Sequence, residues 1–371
     1  MKSYIVVGSG ILGASTAYHL AKQGARVTLV DRQDSGQATD AAAGMVCPWL
    51  SQRRNKAWYQ LVKNGARYYP ELVRDLEQDG QSDTGYKRVG ALKLHTEEAK
   101  LDKIVTLAKK RREDAPEIGE ITKLSREETK SMFPPLSDEY GAVYVSGGAR
   151  VDGRALRNAL VKAAEKRGAR IQYGDATLSY EGATVTGVTV NDEFLSGEKV
   201  MVTGGAWSKE MLEPLGVRFL VSSQKAQIAH VGLPVKETGD WPVVMPPTNK
   251  YILPFDQGRI VMGATHEENE DFNDQVTAGG LHDIFSQVLP IAPGLKEGVF
   301  VESRVGFRPY TPGFLPVIGA VPGVNNLLVA NGLGASGLTS GPYLGFELAN
   351  LALGYSSGID LTPYDVSGAI E

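Results

Sequence analysis

The sequence predicts an α/β protein in which a Rossmann-like domain is joined to a second, β-rich antiparallel domain. Three observations carry the prediction. The stretch Ser3 to Arg32 reads as an apolar strand, a turn through Gly8-Ser9-Gly10-Ile11-Leu12-Gly13, a helix to about Gly24 and a second strand from Arg26 ending at Asp31. Strand-to-glycine turns recur at Thr203-Gly204-Gly205 and from Gly332 to Gly337. Between them, from about Val217 to Arg308, the pattern is mainly strand-like.

The first unit has the physical attributes of a dinucleotide cradle. Gly8 permits the tight turn, Gly10 lets backbone approach a pyrophosphate, and Gly13 lets helix and strand pack closely, while the N–H groups and dipole of the new helix attract phosphate. Asp31, 23 residues after Gly8, can accept hydrogen bonds from a ribose. The pattern alone does not choose between FAD and NAD. The small residues of Gln37-Ala38-Thr39-Asp40-Ala41-Ala42-Ala43-Gly44-Met45 then leave room for a bulky neighbour, either a packed helix or a flat ligand.

From Lys56 to Gln78, apolar residues at spacings of three and four predict a helix. Tyr86 to His95 alternates like a strand pair, and a charged helix follows from about Glu97 to Glu113. Ser125-Arg126-Glu127-Glu128 reads as a capping box. These segments look like an insertion that builds the substrate side. Asp152 can cap a helix running to about Arg167, Gly168 stops it, and strands follow at Ala169 to Tyr173 and Ala183 to Val190.

In the β-rich part, Tyr251 to Pro254 and Arg259 to Thr265 form a hairpin around Asp256-Gln257-Gly258, and a helix from about Gly280 to Leu289 interrupts the strands. Near the C-terminus a strand from Asn326 to Ala330 runs through Gly332-Leu333-Gly334-Ala335-Ser336-Gly337 into an apolar helix reaching Leu353. That places a second anion-seeking helix start at the other end of the chain. Reduced flavin carries negative charge at its ring as well as at its pyrophosphate, whereas nicotinamide becomes neutral on reduction. The division expected is 1–82, 150–215 and 320–371 for the cofactor domain, and 83–149 with 216–319 for the substrate domain.

Composition narrows the function classes. A chain of 371 residues with net charge −4 has no general attraction for nucleic acid, and the basic run Lys109-Lys110-Arg111-Arg112 adjoins Glu113 and Asp114 as a solvated face. The single cysteine, Cys47, excludes an intramolecular disulfide framework. No apolar run is long enough to span a membrane, and the first strand begins too early to leave room for a signal peptide, so a soluble, cytoplasmic protein is expected. HExxH, CxxC, GxSxG and Walker patterns are all missing.

Taken together, VVGSGILGASTAYHLAKQGARVTLVDR, AAAGMVCPW, TGGAWS, YILPFDQGRIVMGATH, GFRPYTPGFLPVIG and NGLGASGLTSGP resemble, in order and over nearly the whole chain, the D-amino-acid oxidase-like family of FAD-dependent oxidoreductases, its glycine-oxidase branch most of all. The resemblance implies a GR2-type FAD domain and oxidation of the C–N bond of a small amino acid or N-substituted amino acid. Hydride would pass to flavin N5, and the resulting imine would hydrolyse to a keto acid plus amine or ammonia. It implies noncovalent FAD held by Gly8, Gly10, Ile11, Leu12, Gly13, Asp31, Arg32, Thr39, Ala42, Ala43, Gly44, Met45, Thr177, Thr203, Gly204 and the run Gly332, Leu333, Gly334, Ala335, Ser336, Gly337, Leu338, Thr339. Arg308 stands where the family has a covalent attachment cysteine.

The same resemblance assigns the substrate carboxylate to Arg308, whose guanidinium fork suits bidentate pairing, against the alternative of an ion pair between two strands. Tyr251 either donates to that carboxylate or only packs, Met45 is site wall or core, and His266 faces substrate or is structural. Two departures matter. Ala335 and Thr339 occupy positions where relatives carry a second cationic anchor, so either Arg53 or Arg54 takes that role or the substrate is larger or differently charged than glycine. Val261 stands where one branch has an oxygen-reducing lysine, which leaves oxidase against dehydrogenase open. The competing readings are a flavin-binding subunit of a multi-protein amine dehydrogenase and an NAD(P)-dependent dehydrogenase. No metal and no partner besides the small-molecule substrate are expected, with self-association into a homo-oligomer left open.

Overall fold

The strand Ser3–Val7 lies at the heart of a six-stranded sheet in a computed structural model that describes residues 2–268 and 271–371. The order across this sheet is Val317–Ala320, Leu327–Asn331, Lys199–Val202, Ser3–Val7, Arg26–Asp31 and Arg170–Tyr173. All neighbours are parallel except the edge strand Val317–Ala320, which runs antiparallel to Leu327–Asn331. A parallel sheet covered on both faces needs apolar inner strands, and Leu327–Asn331 with residues 200–202 and 4–7 are buried throughout, while the edge strand Arg170–Tyr173 is not. Successive residues feed different cores: Tyr4 and Val6 join a cluster with Leu12, Leu156 and Leu348, whereas Ile5 and Val7 join one with Val185, Val188 and Val202.

Helices Ile11–Lys22, Gly153–Lys166 and Gly337–Leu353 cover the first face. On the second lies an antiparallel meander of Ala176–Glu181, Thr184–Val190 and Glu193–Ser196, of which the middle strand alone is among those expected above. Helix Lys56–Gln78 has the bounds its apolar spacing predicts, is capped by Asn55, and carries Pro70 within it. Helix Gly153–Lys166 is capped by Asp152, and Ser125 with Glu128 completes the reciprocal capping box.

The second sheet has nine strands drawn from two separated parts of the chain, residues 91–145 and 222–310. Its pairings are antiparallel except for Ala91–His95 with Val243–Met245, so the inserted segment continues the sheet through one parallel joint. The hairpin Tyr251–Pro254 with Arg259–Gly263 pairs Tyr251 with Gly263, turning where Gln257 takes a φ of 60°. Asp152 joins the two halves of the protein: one carboxylate oxygen caps its helix at the Ala155 N–H, and the other accepts from Arg259 at 2.9 Å. Among the described residues, no helix is long and apolar enough to cross a membrane, and no group of three or more His, Cys, Asp or Glu side chains is placed to hold a metal.

Candidate functional site

The strands Leu327–Asn331, Lys199–Val202 and Ser3–Val7 are neighbours in that order, so the three glycine turns that follow them lie side by side at the carboxyl ends of parallel strands. This is where open α/β sheets bind ligands. A cleft of about 700 Å³ opens there and continues beneath the second sheet. Of the residues expected to hold a cofactor or substrate, all but Gly13, Arg53, Arg54 and Gly332 line it.

The exceptions have separate physical reasons. Gly13 faces the sheet, where an added Cβ would stand 1.8 Å from the Gly8 carbonyl oxygen and 2.4 Å from Thr203 Oγ1. Its part is the close packing of helix on strand, and it supports the cradle from behind. Gly332 likewise packs against Thr311. Arg53 is not brought into the cleft: its guanidinium lies 4.7 Å from the Trp58 ring centroid and donates to the Phe314 carbonyl at 2.6 Å. Arg54 is exposed and also outside the lining. Neither therefore stands where the second carboxylate anchor was sought.

At one end of the cleft, Gly8 takes a φ of 101°, and Thr203 Oγ1 bonds the carbonyls of Val7 and Gly8, both at 2.9 Å, tying the first two turns together. Gly10 is open toward the cleft, since an added Cβ would meet nothing nearer than Thr39 Oγ1 at 3.5 Å. The Thr39 hydroxyl takes the Ile11 N–H at 3.0 Å. Asp31 is buried and accepts from the Ser9 N–H (2.5 Å), the Gln33 N–H (2.7 Å) and Gln37 Nε2 (2.9 Å). Much of its carboxylate thus organises the loop around the site. Arg32, held by Asp34, Asp175 and Glu210, and Thr177 on the meander complete this end.

The third turn is bound to the second by Asn331, whose Nδ2 donates to the Gly205 carbonyl and to Ser208 Oγ, both at 2.8 Å. Helix Gly337–Leu353 points its N-terminus into the cleft with no side-chain cap, because the Ser336 hydroxyl accepts from Trp58 Nε1 instead. Its first N–H groups are therefore offered to whatever occupies the cleft. Thr339 Oγ1 donates to the Met45 carbonyl at 3.0 Å, which locks the small-residue elbow Ala42-Ala43-Gly44-Met45 against this helix.

Beneath the second sheet, Arg308, Tyr251, His266 and Met45 line the far end. Arg308 makes a long bond, 3.4 Å to Gln224 Oε1 on the neighbouring strand, and interacts with the Tyr251 phenol, and no carboxylate among the described residues lies within 4.0 Å of it. Arg304, four residues earlier, is by contrast paired with Glu302 at 2.5 Å. Burial raises the Tyr251 phenol, opposed by the adjacent Arg308 guanidinium, so it stays a protonated donor. Burial chiefly, then the Arg308 and Lys250 charges, lowers His266, which is neutral there. Cys47 also lines the cleft, but burial pushes its thiol up to about 12, leaving it protonated and inert.

Sequence reasoning missed Lys93, Met245, Asn249 and Gln52, all in the lining. A signal for Lys93 was present: it is the one charged residue within Ala91-Leu92-Lys93-Leu94, an otherwise apolar run that forms a central strand. His230, which had no visible constellation, is buried with neither ring nitrogen hydrogen-bonded, 3.7 Å from Glu302 and away from the cleft.

An extended cleft with glycine turns at one end, an uncapped helix start along its side and a free guanidinium at the far end fits FAD by shape and by charge. Its volume is within the roughly 300–1,000 Å³ range of ligand sites. Fold and site together define a dinucleotide-dependent oxidoreductase of mixed α/β architecture.

The chain belongs to the family of FAD dependent oxidoreductases (DAO), whose model matches residues 3–351. It is 62% identical over the full length of both chains to an uncharacterized oxidoreductase, YurR, of Bacillus subtilis. It is 30% identical to glycine oxidase of Pseudomonas aeruginosa, covering 99% of each chain. Among solved structures, iminodiacetate oxidase from Chelativorans sp. BNC1 superposes with a TM-score of 0.95 at 42% identity, covering 98% of each chain. Glycine oxidase from Geobacillus kaustophilus gives 0.85 at 26% identity over 99% of each chain. The protein is thus a flavoprotein oxidoreductase that depends on FAD, and its similarity to glycine oxidases extends over the whole chain.

Proposed function

We propose that this protein oxidises the C–N bond of a small amino acid or N-substituted amino acid whose carboxylate is held by Arg308 and Tyr251. The observation that carries the reading is the guanidinium of Arg308, which faces the cleft without a carboxylate partner among the described residues and beside a protonated phenol. A partly buried, unpaired guanidinium is costly unless an anion arrives. Similarity to an iminodiacetate oxidase and to glycine oxidases supports an amine bearing a carboxymethyl group.

The three glycine turns would hold FAD noncovalently, and FAD there would supply the hydride acceptor. The protein's own residues position the reacting carbon. Arg308 and Tyr251 fix the carboxylate, and with it the orientation of the neighbouring C–H bond. Neutral His266 adds no further positive charge beside Arg308. Met45, Met245 and Trp58 wall the site with side chains that carry no charge. As hydride leaves carbon and the N–H proton leaves for solvent, a C=N bond forms, and water then cleaves it to an oxo acid and an amine.

The test is anaerobic mixing of the purified holoprotein with glycine, sarcosine, iminodiacetate, proline and D-amino acids. Bleaching of the flavin absorbance by at least one supports the reading, and oxygen admitted afterwards separates an oxidase from a dehydrogenase. Flavin that none of them bleaches would sink it and favour a subunit that needs a partner for turnover.

A further inference from the structure

Arg308 is not the only cation in the cleft. Lys93 lines it from the opposite flank of the same sheet face, and no carboxylate among the described residues lies within 4.0 Å of its ammonium. One N–H of the ammonium goes to the Pro246 carbonyl at 2.9 Å. An ammonium has three donors, so two remain for a ligand.

The register places it. Lys93 pairs with Met245 on the next strand, and the pairing of Val244 with Ile252 sets Met245 opposite Tyr251 on the strand after that. Side chains opposite one another in a sheet share a face, and Lys93, Met245 and Tyr251 all line the cleft. Two strand spacings of about 4.8 Å separate the Lys93 and Tyr251 backbones by roughly 10 Å. Two side chains reaching inward across that gap can grip the ends of one small molecule. In a secondary amine carrying two carboxymethyl arms, the carboxyl carbons stand about 5 Å apart when extended, by ordinary bond lengths.

The electrostatics agree. Burial lowers the Lys93 ammonium, opposed by the nearby Cys47. A carboxylate arriving at Lys93 would favour the charged form and supply a counter-charge that no described residue provides within 4.0 Å.

We propose that Lys93 is a second carboxylate-binding point and that the preferred substrate is a dicarboxylic secondary amine, with one carboxylate on Arg308 and Tyr251 and the other on Lys93. This rests on the reading of Arg308 given above. It also identifies a cation for the anchor missing at Ala335 and Thr339, supplied by the inserted segment of the second sheet.

The experiment compares two ligands that lack an amine and so are not oxidised: thiodiacetate, with two carboxylates, and (propylthio)acetate, of equal length with one. Dissociation constants are read on the FAD-loaded protein from the perturbed flavin spectrum and by calorimetry. The wild type is expected to bind the diacid at least tenfold more tightly. Lys93→Met should collapse that ratio toward one, and Lys93→Arg should retain most of it. If Lys93→Met does not hold flavin, Lys93→Gln and the wild-type ratio decide. No preference for the diacid in the wild type, or the same preference in the neutral variants, overturns the proposal. In that event binding of (propylthio)acetate that depends on Arg308 leaves the carboxylate reading standing. If neither acid binds and no amine bleaches the flavin, both fall.

Discussion

Replacing Arg308 by alanine separates a substrate-binding arginine from a structural one. In the folded protein its guanidinium has no carboxylate partner among the described residues, and its polar neighbours there are the long Gln224 bond and the Tyr251 phenol, so little folded-state pairing is lost on removal. The expected change in Tm is correspondingly small, and a slight gain is as acceptable as a slight loss. The substrate complex is different. There a charge-assisted, two-bond contact disappears and a carboxylate is left facing a largely apolar wall. Truncating one member of a buried charge pair costs about 2–5 kcal/mol. At about 1.4 kcal/mol per decade, that is roughly 30- to 5,000-fold in kcat/KM. Arg308→Lys keeps the charge without the planar fork and should fall between wild type and alanine. The assay is the anaerobic rate of flavin reduction against substrate concentration, with Tm recorded for each variant. A carboxylate substrate processed by Arg308→Ala with unchanged kcat/KM would refute the reasoning, and a large fall in Tm with intact kinetics would return Arg308 to the strand-pairing role.

Tyr251→Phe removes one neutral donor beside Arg308, so kcat/KM for the same substrate should fall by about 1 kcal/mol, roughly fivefold, in the same stopped-flow assay. Two glycines of the first turn should respond differently to alanine. Gly13→Ala drives a Cβ into the Gly8 carbonyl and should lower stability by about 1–3 kcal/mol in denaturant titration, whereas Gly10→Ala meets only open cleft and should spare apoprotein stability while weakening FAD retention at least tenfold by equilibrium dialysis. Stability should also decline in mild acid. Burial lowers His19 to about 3 and His230 to about 4, while in the unfolded chain both titrate near 6.5, so below that pH the unfolded state takes up protons that the folded state refuses. Each histidine then removes about 2 kcal/mol between pH 7 and pH 5, and the double variant His19→Gln with His230→Gln should show a flatter Tm profile over that interval.

The local elements were legible wherever chemistry along the chain decides them. Gly8 to Gly13 followed by an apolar helix, the capping pairs at Ser125 and Asp152, and the spacing that defines helix Lys56–Gln78 are all short-range signals, and each formed what its residues predict. The meander strand Glu193–Ser196 was not, because it is mostly exposed and its residues do not alternate, whereas Ala176–Glu181 does alternate apolar with polar and was missed, being short and exposed at its end.

Side-chain roles divide the same way. A guanidinium reads alike in Arg53, Arg304 and Arg308, yet the fold gives the first an aromatic ring and a carbonyl, the second Glu302, and the third no carboxylate among the described residues. By itself the sequence determined that the chain cradles a dinucleotide, that two further glycine turns follow strands, and that a β-rich part accompanies them, since turn geometry and helix starts depend on residues a few positions apart. Only the tertiary structure decided that those turns lie side by side, that Arg53 stays out of the cleft, and that Lys93 enters it. Strand order and sheet register set these placements, and both arise from pairings between residues far apart in the chain that no local pattern encodes.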